Sequence, residues 1–150
     1  MRYKFKLFAL LLLAVVVATF IVYGSLLSWS SSVTVNVSSP SIGVYWDANC
    51  TNPVTTINLG NLQQGTENWW VTLYVKNNAQ GSVKLWWNST RALISDKIID
   101  YWARDVYAYS DLNGTMIGPG EALTTYYRIS VRTDCPPDSY SWTLNLGVMD

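Results

Sequence analysis

The chain has 150 residues, with ten Lys and Arg against ten Asp and Glu, two cysteines, eight tryptophans and no histidine. Without histidine there is no Ser-His-Asp or Cys-His nucleophile system, and the commonest general base and the usual zinc and copper ligand are missing. The neutral total hides an uneven distribution: Arg2, Lys4 and Lys6 sit at the N-terminus, and beyond them seven bases face ten acids. That mildly acidic balance lacks the basic footprint of a nucleic-acid partner.

Those three cations precede an uncharged apolar run over residues 7–23, which continues through Gly24, Ser25, Leu26, Leu27 and Ser28 to Trp29. As a helix, residues 7–23 measure about 25 Å and residues 7–29 about 35 Å, against a hydrocarbon core of about 30 Å. The sequence therefore predicts a signal or anchor transmembrane helix over residues 1–29. Val22 and Gly24 suit a signal-peptidase site, whereas the length of the run, with Tyr23 and Trp29 at the outer interface, favours an uncleaved anchor. The next cation is Lys76, so the N-terminus is expected inside and residues 30–150 outside; secretion after cleavage near Gly24 is the alternative.

The remaining residues suffice for one domain. They alternate with a period of two and not of 3.6. Val33, Val35 and Val37 interleave with Thr34 and Asn36. Strands follow over residues 42–46, 55–59 and 68–76, the last placing Trp69, Val71, Leu73 and Val75 on one face. Asn77, Asn78 and Gly81 turn the chain into a strand over residues 83–87. Residues 106–109 lead through Asn113 and Gly114, a hairpin-type pair, towards Ile117. Two long strands close the domain, residues 122–131 and 140–148, around Asp134, Cys135, Pro136, Pro137 and Asp138. Between the strands at residues 83–87 and 106–109, Leu93, Ile94, Ile98, Ile99 and Trp102 recur at helical offsets, which predicts a short helix or an ordered crossover over residues 90–104. The expected fold is all-β: an antiparallel immunoglobulin-like β-sandwich of seven to eight strands preceded by one N-terminal hydrophobic helix.

Val44, Tyr45, Trp46 and Asp47, then Cys50 and Thr51, followed by Ile57, Gly60, Leu62 and Gly65, resemble a group of small archaeal exported proteins of unknown function. The shared pattern adds a strand ending in Asn, here residues 71–77, and a late Pro-Gly-Glu turn, here Pro119, Gly120 and Glu121. These are turn and strand signals, so the resemblance implies a fold and not an activity. Only the cysteine near the VYWD segment is usual in that pattern, so Cys135 departs from it. More distantly, a leader followed by one small sandwich is similar to the secreted subunits of archaeal bundling pili and bacterial biofilm fibres. Those subunits link by donating a strand to a neighbour, and Val33, Val35 and Val37 lie on the segment that would be donated here.

Cys50 and Cys135 are 85 positions apart and both fall on the exported side, where one disulfide is the simplest outcome; two free thiols are the alternative. In the chain-entropy account such a bridge stabilises the fold by about 4 to 5 kcal/mol. Asp96, Asp100 and Asp105 lack calcium-loop spacing and read as solvated surface charge, and Glu67 and Glu121 lie in turns. No Gly-rich phosphate loop follows a strand and opens a helix. No enzyme activity, cofactor or metal is expected. Adjacent tryptophans on a strand face opposite ways, so one of Trp69 and Trp70, and one of Trp86 and Trp87, is expected on an outer face. Trp70, Trp87, Tyr74 and Tyr126 form the candidate interaction surface, which would shield the sheet, stack on sugar rings or bury against a neighbouring subunit. Asn36, Asn49, Asn88 and Asn113 occupy glycosylation sequons. The expected partners are the membrane, further copies or other envelope proteins, and glycans. The expected role is a non-enzymatic surface structural protein, with a glycan-binding adhesin as the alternative.

Overall fold

The computed structural model describes residues 30–90, 97–105, 111–136 and 138–149. Nine strands run through them: β1 (Ser30–Val37), β2 (Ile42–Tyr45), β3 (Thr56–Asn61), β4 (Trp69–Asn77), β5 (Val83–Thr90), β6 (Ile98–Ala103), β7 (Met116–Ile117), β8 (Ala122–Val131) and β9 (Tyr140–Met149). They form a five-stranded sheet ordered β3-β1-β9-β5-β7 and a four-stranded sheet ordered β2-β4-β8-β6. Alternation drives this layering. In β8 the inward residues Thr125, Tyr127, Ile129 and Val131 are buried, while Thr124 faces out and Tyr126, Arg128 and Ser130 are half-buried. The buried faces of both sheets, including Val33, Leu85, Leu144 and Leu146 from one and Leu73, Val75, Trp102 and Ile129 from the other, make one apolar cluster. Among the described residues no helix is long and apolar enough to cross a membrane; residues 1–29, where a signal or anchor helix is expected, lie outside them.

Polar groups inside this cluster are tied to one another. The Trp102 indole donates to Thr125 Oγ1 at 2.9 Å, and that hydroxyl donates to the Leu73 carbonyl at 3.1 Å. The Trp142 indole donates to the Tyr127 hydroxyl at 2.7 Å, which donates to Asp100 Oδ2 at 3.0 Å. Each large aromatic thus buries its ring without leaving its polar atom unpaired.

Several expectations change. Residues 98–103 are a strand, not a helix or crossover, while residues 91–96 of that expected element lie outside the described residues: Ile98, Asp100 and Trp102 point inward and Ile99 outward, paired along β8 from Ile98 opposite Val131 to Ala103 opposite Tyr126. The helical offsets misled because a strand with a buried Asp breaks the apolar alternation that signals period two. Asp100 is accordingly buried and not surface charge, while Asp105 is exposed and Asp96 lies outside the described residues. The strand expected at residues 106–109 also lies outside them. Gly114 adopts the left-handed conformation expected of a turn (φ 80°), yet β7 beyond it pairs with Val83 and Lys84 of β5. Nor is the pairing wholly antiparallel: β1 runs parallel to β9, from Ser31 opposite Tyr140 to Val37 opposite Leu146.

That last point bears on strand exchange. β1 is no loose edge, because it is bonded to β9 on one side and antiparallel to β3 on the other. Val33 and Val35 are 0% and 7% exposed. Withdrawing those two valines alone would cost about 3 to 6 kcal/mol, a large part of a small domain's stability of about 5 to 15 kcal/mol.

The segments that carried the family resemblance prove to be turn-builders. Asp47 closes the β2–β3 loop by accepting from the Thr51 and Asn52 backbone N–H groups, the latter at 2.7 Å, and from the Thr51 hydroxyl at 3.1 Å. Gly60 and Gly65 take positive φ (61° and 75°) around the buried Leu62. Asn77, fully buried, joins two distant pieces of the pattern: its backbone N–H donates to the Glu121 carbonyl, Gly120 N–H donates back to its carbonyl, and its side chain spans the same corner.

Candidate functional site

The outer face of the four-stranded sheet is built by the outward residues of four strands. β4 contributes Trp70, Thr72 and Tyr74, β8 contributes Thr124, Tyr126 and Arg128, β6 contributes Ile99 and Tyr101, and β2 contributes Tyr45. Register sets their order. Trp70 and Tyr101 flank Arg128 from either side, and Tyr45 lies opposite Tyr74. Tyr126, opposite Thr72, is the diagonal neighbour of Trp70, and their rings meet at 5.6 Å with planes tilted by 51°. Trp70 is 50% and Ile99 53% exposed, so this face presents large apolar surface to its surroundings. Burial, with the Asp111 carboxylate, raises the Tyr101 phenol above its ordinary value, against the opposing pull of Arg128.

Three of the four residues expected on an interaction surface are therefore together: Trp70, Tyr74 and Tyr126. Trp87 is not with them. Of the Trp86–Trp87 pair it is Trp87 that turns inward, because it shares a register position with buried Leu146. Its ring meets Trp102 edge-on at 6.3 Å and Tyr101 at 6.4 Å. Its indole donates to Asp111 Oδ1 at 2.7 Å and its backbone N–H to Asn113 Oδ1 at 2.6 Å. Desolvation raises the Asp111 pKa, but the Asn113 N–H, the Trp87 indole and the Asn113 amide outweigh it and leave the carboxyl below its ordinary value. Tyr45, Tyr101 and Ile99 were not singled out from the sequence. Tyr101 and Ile99 fell in the segment read as helical, and Tyr45 became visible only when β2 paired with β4.

The opposite outer face, on the five-stranded sheet, is polar and uncharged over β3, β1 and β9, while Lys84, Trp86 and exposed Met116 lie towards its β5–β7 edge. Thr56, Thr34, Thr143 and Thr90 line up across β3, β1, β9 and β5, and Asn36, Asn145 and Asn88 form the next row. Asn36 donates to Asn145 Oδ1 at 3.1 Å, and Asn145 donates to Asn88 Oδ1 and Thr90 Oγ1, each at 2.9 Å. Two sequon asparagines, Asn36 and Asn88, thus flank Asn145 on this face. Asn49 is exposed in the β2–β3 loop, and Asn113 caps Trp87. Trp86 lies over Gly147, where an added Cβ would sit 2.4 Å from the indole nitrogen.

The cysteines do not form the expected bridge. Both are free thiols: Cys50 half-buried at the tip of the Asp47-closed loop, with φ 56°, and Cys135 buried after β8. The loop holds Cys50 at the β2 edge of its sheet, whereas Cys135 points under the turn into β9, donating to the Tyr140 hydroxyl at 3.8 Å. The Gln64 side chain donates to the Cys135 carbonyl. Burial raises the Cys135 thiol pKa, so it stays protonated and unreactive. Among the described residues no three His, Cys, Asp or Glu groups could hold a metal ion. Compared with protein-family models and with curated proteins, the chain matches none.

Proposed function

We propose that this protein is a non-enzymatic structural component of a cell surface, an immunoglobulin-like module held outside the membrane by the N-terminal apolar segment and packed against copies of itself or other envelope proteins. The observation that carries the reading is the Trp70–Tyr126 face, where a half-exposed tryptophan, four tyrosines and Ile99 share one open sheet surface. Burying Trp70 and Ile99 against a neighbour recovers several kcal/mol, and aromatic residues are the usual anchors of such contacts. This mode leaves β1 within its own sheet, whereas strand donation would break two ladders. The resemblance to small exported archaeal proteins supports export of the domain and says nothing of its activity.

The test is made on the full chain in its membrane. Wild type is expected in carbonate-resistant membranes and, after mild detergent, as ordered oligomers on sedimentation. Trp70→Glu with Tyr126→Glu should reduce these to monomers that remain folded, with only the modest loss of thermal stability that breaking one cross-strand aromatic pair brings, because neither residue is in the core. Oligomers that survive the pair refute the interface, and a freely soluble product beginning near Ser25 refutes the anchor. A substitution such as Val35→Asp would not serve, since Val35 is core. The tilted Trp70–Tyr126 pair also suits stacking on a sugar ring, which supports the second reading, a glycan-binding adhesin. A monomer retained on a polysaccharide column, and released by Trp70→Ala, would favour it.

A further inference from the structure

The outward residues of β4 and β8 form three rows across the middle of the four-stranded sheet: Trp70 beside Arg128, Thr72 beside Tyr126, and Tyr74 beside Thr124. Bulk therefore alternates between the two strands, with Trp70, Tyr126 and Tyr74 on one zigzag and the small Thr72 and Thr124 in the gaps. Such a surface is complementary to itself when a copy is turned so that each residue meets its neighbour in the row, a large side chain over each gap. Among the described residues of the sheet's four strands no acid points outward, so Arg128 of a copy would meet no carboxylate on this face. What stands level with it is the Trp70 indole, whose ring face attracts a cation.

Strand direction fixes the turn. β1 begins at Ser30, the residue after the apolar segment, and Asn61 at the end of β3 lies opposite it. In the loop that follows, the Thr66 carbonyl accepts from Val131 N–H at 2.8 Å, which ties the end of β8 and the start of β4 to the Ser30 end. At the far end Asn78, just past β4, donates to the Ser41 carbonyl, in the turn after β1, at 2.7 Å. β4 therefore runs the same way as β1, away from the leader. We infer that the occupant of this face is a second copy of the chain anchored in the same membrane, related by a two-fold axis that runs along the strands between β4 and β8. This pairing rests on the proposed anchor and aromatic interface and names the partner. Two copies held in one bilayer keep their Ser30 ends on the same side, which an axis along the strands satisfies and an axis across them violates. β4 and β8 are the inner strands of the sheet, so an axis between them overlaps the two faces most fully. It sets each Trp70 on Arg128 of the second copy, each Tyr126 over Thr72 and each Tyr74 over Thr124. Because the same patch is used on both sides, assembly closes at two chains.

The experiment uses the full chain in phospholipid vesicles, labelled at Cys50 with a donor or an acceptor dye. Energy transfer is expected when donor and acceptor chains share vesicles and not when they occupy separate vesicles that are then mixed, and single-particle photobleaching should count two chains. Arg128→Gln should weaken dimers about tenfold or more by removing the cation from the indole. Thr72→Tyr sets bulk against Tyr126 and should weaken them to a similar degree. Exchanging the two residues, Thr72→Tyr with Tyr126→Thr, puts a large side chain over a gap again and should return the affinity to within about threefold of wild type. Circular dichroism melting of each variant separates lost pairing from lost folding. The pairing is overturned, with the aromatic interface left standing, if Trp70→Glu with Tyr126→Glu abolishes assembly while Arg128→Gln and Thr72→Tyr leave it intact, if the exchange fails to restore dimers, if more than two chains assemble, or if energy transfer arises between separate vesicles. Monomeric wild type held firmly in the vesicles overturns both the pairing and the interface but leaves the anchor. Chain that does not stay in the vesicles overturns the anchor and the pairing with it.

Discussion

Replacing Asn77 tests the central packing argument, because one buried amide holds together two separate turns, the one that follows β4 and the one that follows β7. Its Nδ2 donates to the carbonyls of Gly81 at 2.8 Å, Gly118 at 3.0 Å and Ile117 at 3.1 Å, and its Oδ1 accepts from Ala79 N–H at 2.8 Å. Two amide hydrogens serve three carbonyls, so the donor side counts as about two full bonds and the acceptor side as one. At about 1 kcal/mol for each neutral bond, Asn77→Ala should destabilise the fold by about 3 kcal/mol, and more if water cannot reach the orphaned Ile117 carbonyl. For a domain of this size that lowers the thermal midpoint by about 10 to 15 °C. Asn77→Asp is the sharper variant. It preserves shape and the bond from Ala79 but turns a carboxylate towards three carbonyl oxygens, so at neutral pH it should be worse than alanine. Acidification protonates that carboxyl and restores one donor, so the deficit of the Asp variant should shrink as pH falls. Urea unfolding followed by tryptophan fluorescence measures all three. A loss below about 1 kcal/mol for alanine, or an Asp variant as stable as alanine at pH 7, refutes the assignment of donors.

On unfolded protein purified without reductant, two thiols per chain should titrate, Cys50 reacting in the native state and Cys135 only after unfolding; no titratable thiol would mean that the two are bridged. Hydrogen bonds from Asn52 and Thr51 outweigh desolvation to hold Asp47 below its ordinary pKa, and Lys97 and Arg132 do the same for Asp134 despite some desolvation. A depressed folded pKa gives stability that is present above the ordinary carboxylate value and lost as pH falls through the folded one, so the urea midpoint should drop below about pH 4; a flat profile from pH 6 to 2 refutes this. Desolvation, the Cys135 contact and Asp138 push the Tyr140 phenol up to about 12 from 10.0, so its contribution is lost as pH rises from 10 towards 12. Phenolate absorbance should accordingly show a late-titrating component that disappears in Tyr140→Phe, separate from the Tyr101 phenol, which burial also raises. Gly147→Ala would place a Cβ 2.4 Å from the Trp86 indole nitrogen and 2.5 Å from Ser38 Oγ. It should lower stability by about 1 to 3 kcal/mol, and a double-mutant cycle with Trp86→Ala should show coupling, the part of the loss due to the indole, while the Ser38 contact remains.

Local sequence was enough for the class of fold and most of its strands, because alternation such as Val33, Thr34, Val35 and Asn36 fits a pleated surface with one buried side and little else. It also placed the turns, since Gly60, Gly65, Gly114 and Gly120 occupy positive-φ positions that few other residues tolerate. The outward positions of Trp70, Tyr74 and Tyr126 followed from the same parity. Parity cannot say which residue of an isolated pair such as Trp86 and Trp87 faces inward; that was decided by pairing with β9, which puts Trp87 level with Leu146. Nor could periodicity recognise β6, because buried Asp100 reads as solvent-facing until Tyr127 and Trp142, from two other strands, supply its hydrogen-bonded surroundings. The parallel β1–β9 pair, the polar rows across four strands and the separate places of Cys50 and Cys135 are contacts between residues far apart in the chain. Such contacts depend on which strands lie side by side, and a one-residue change of register would present a different set of side chains on every face.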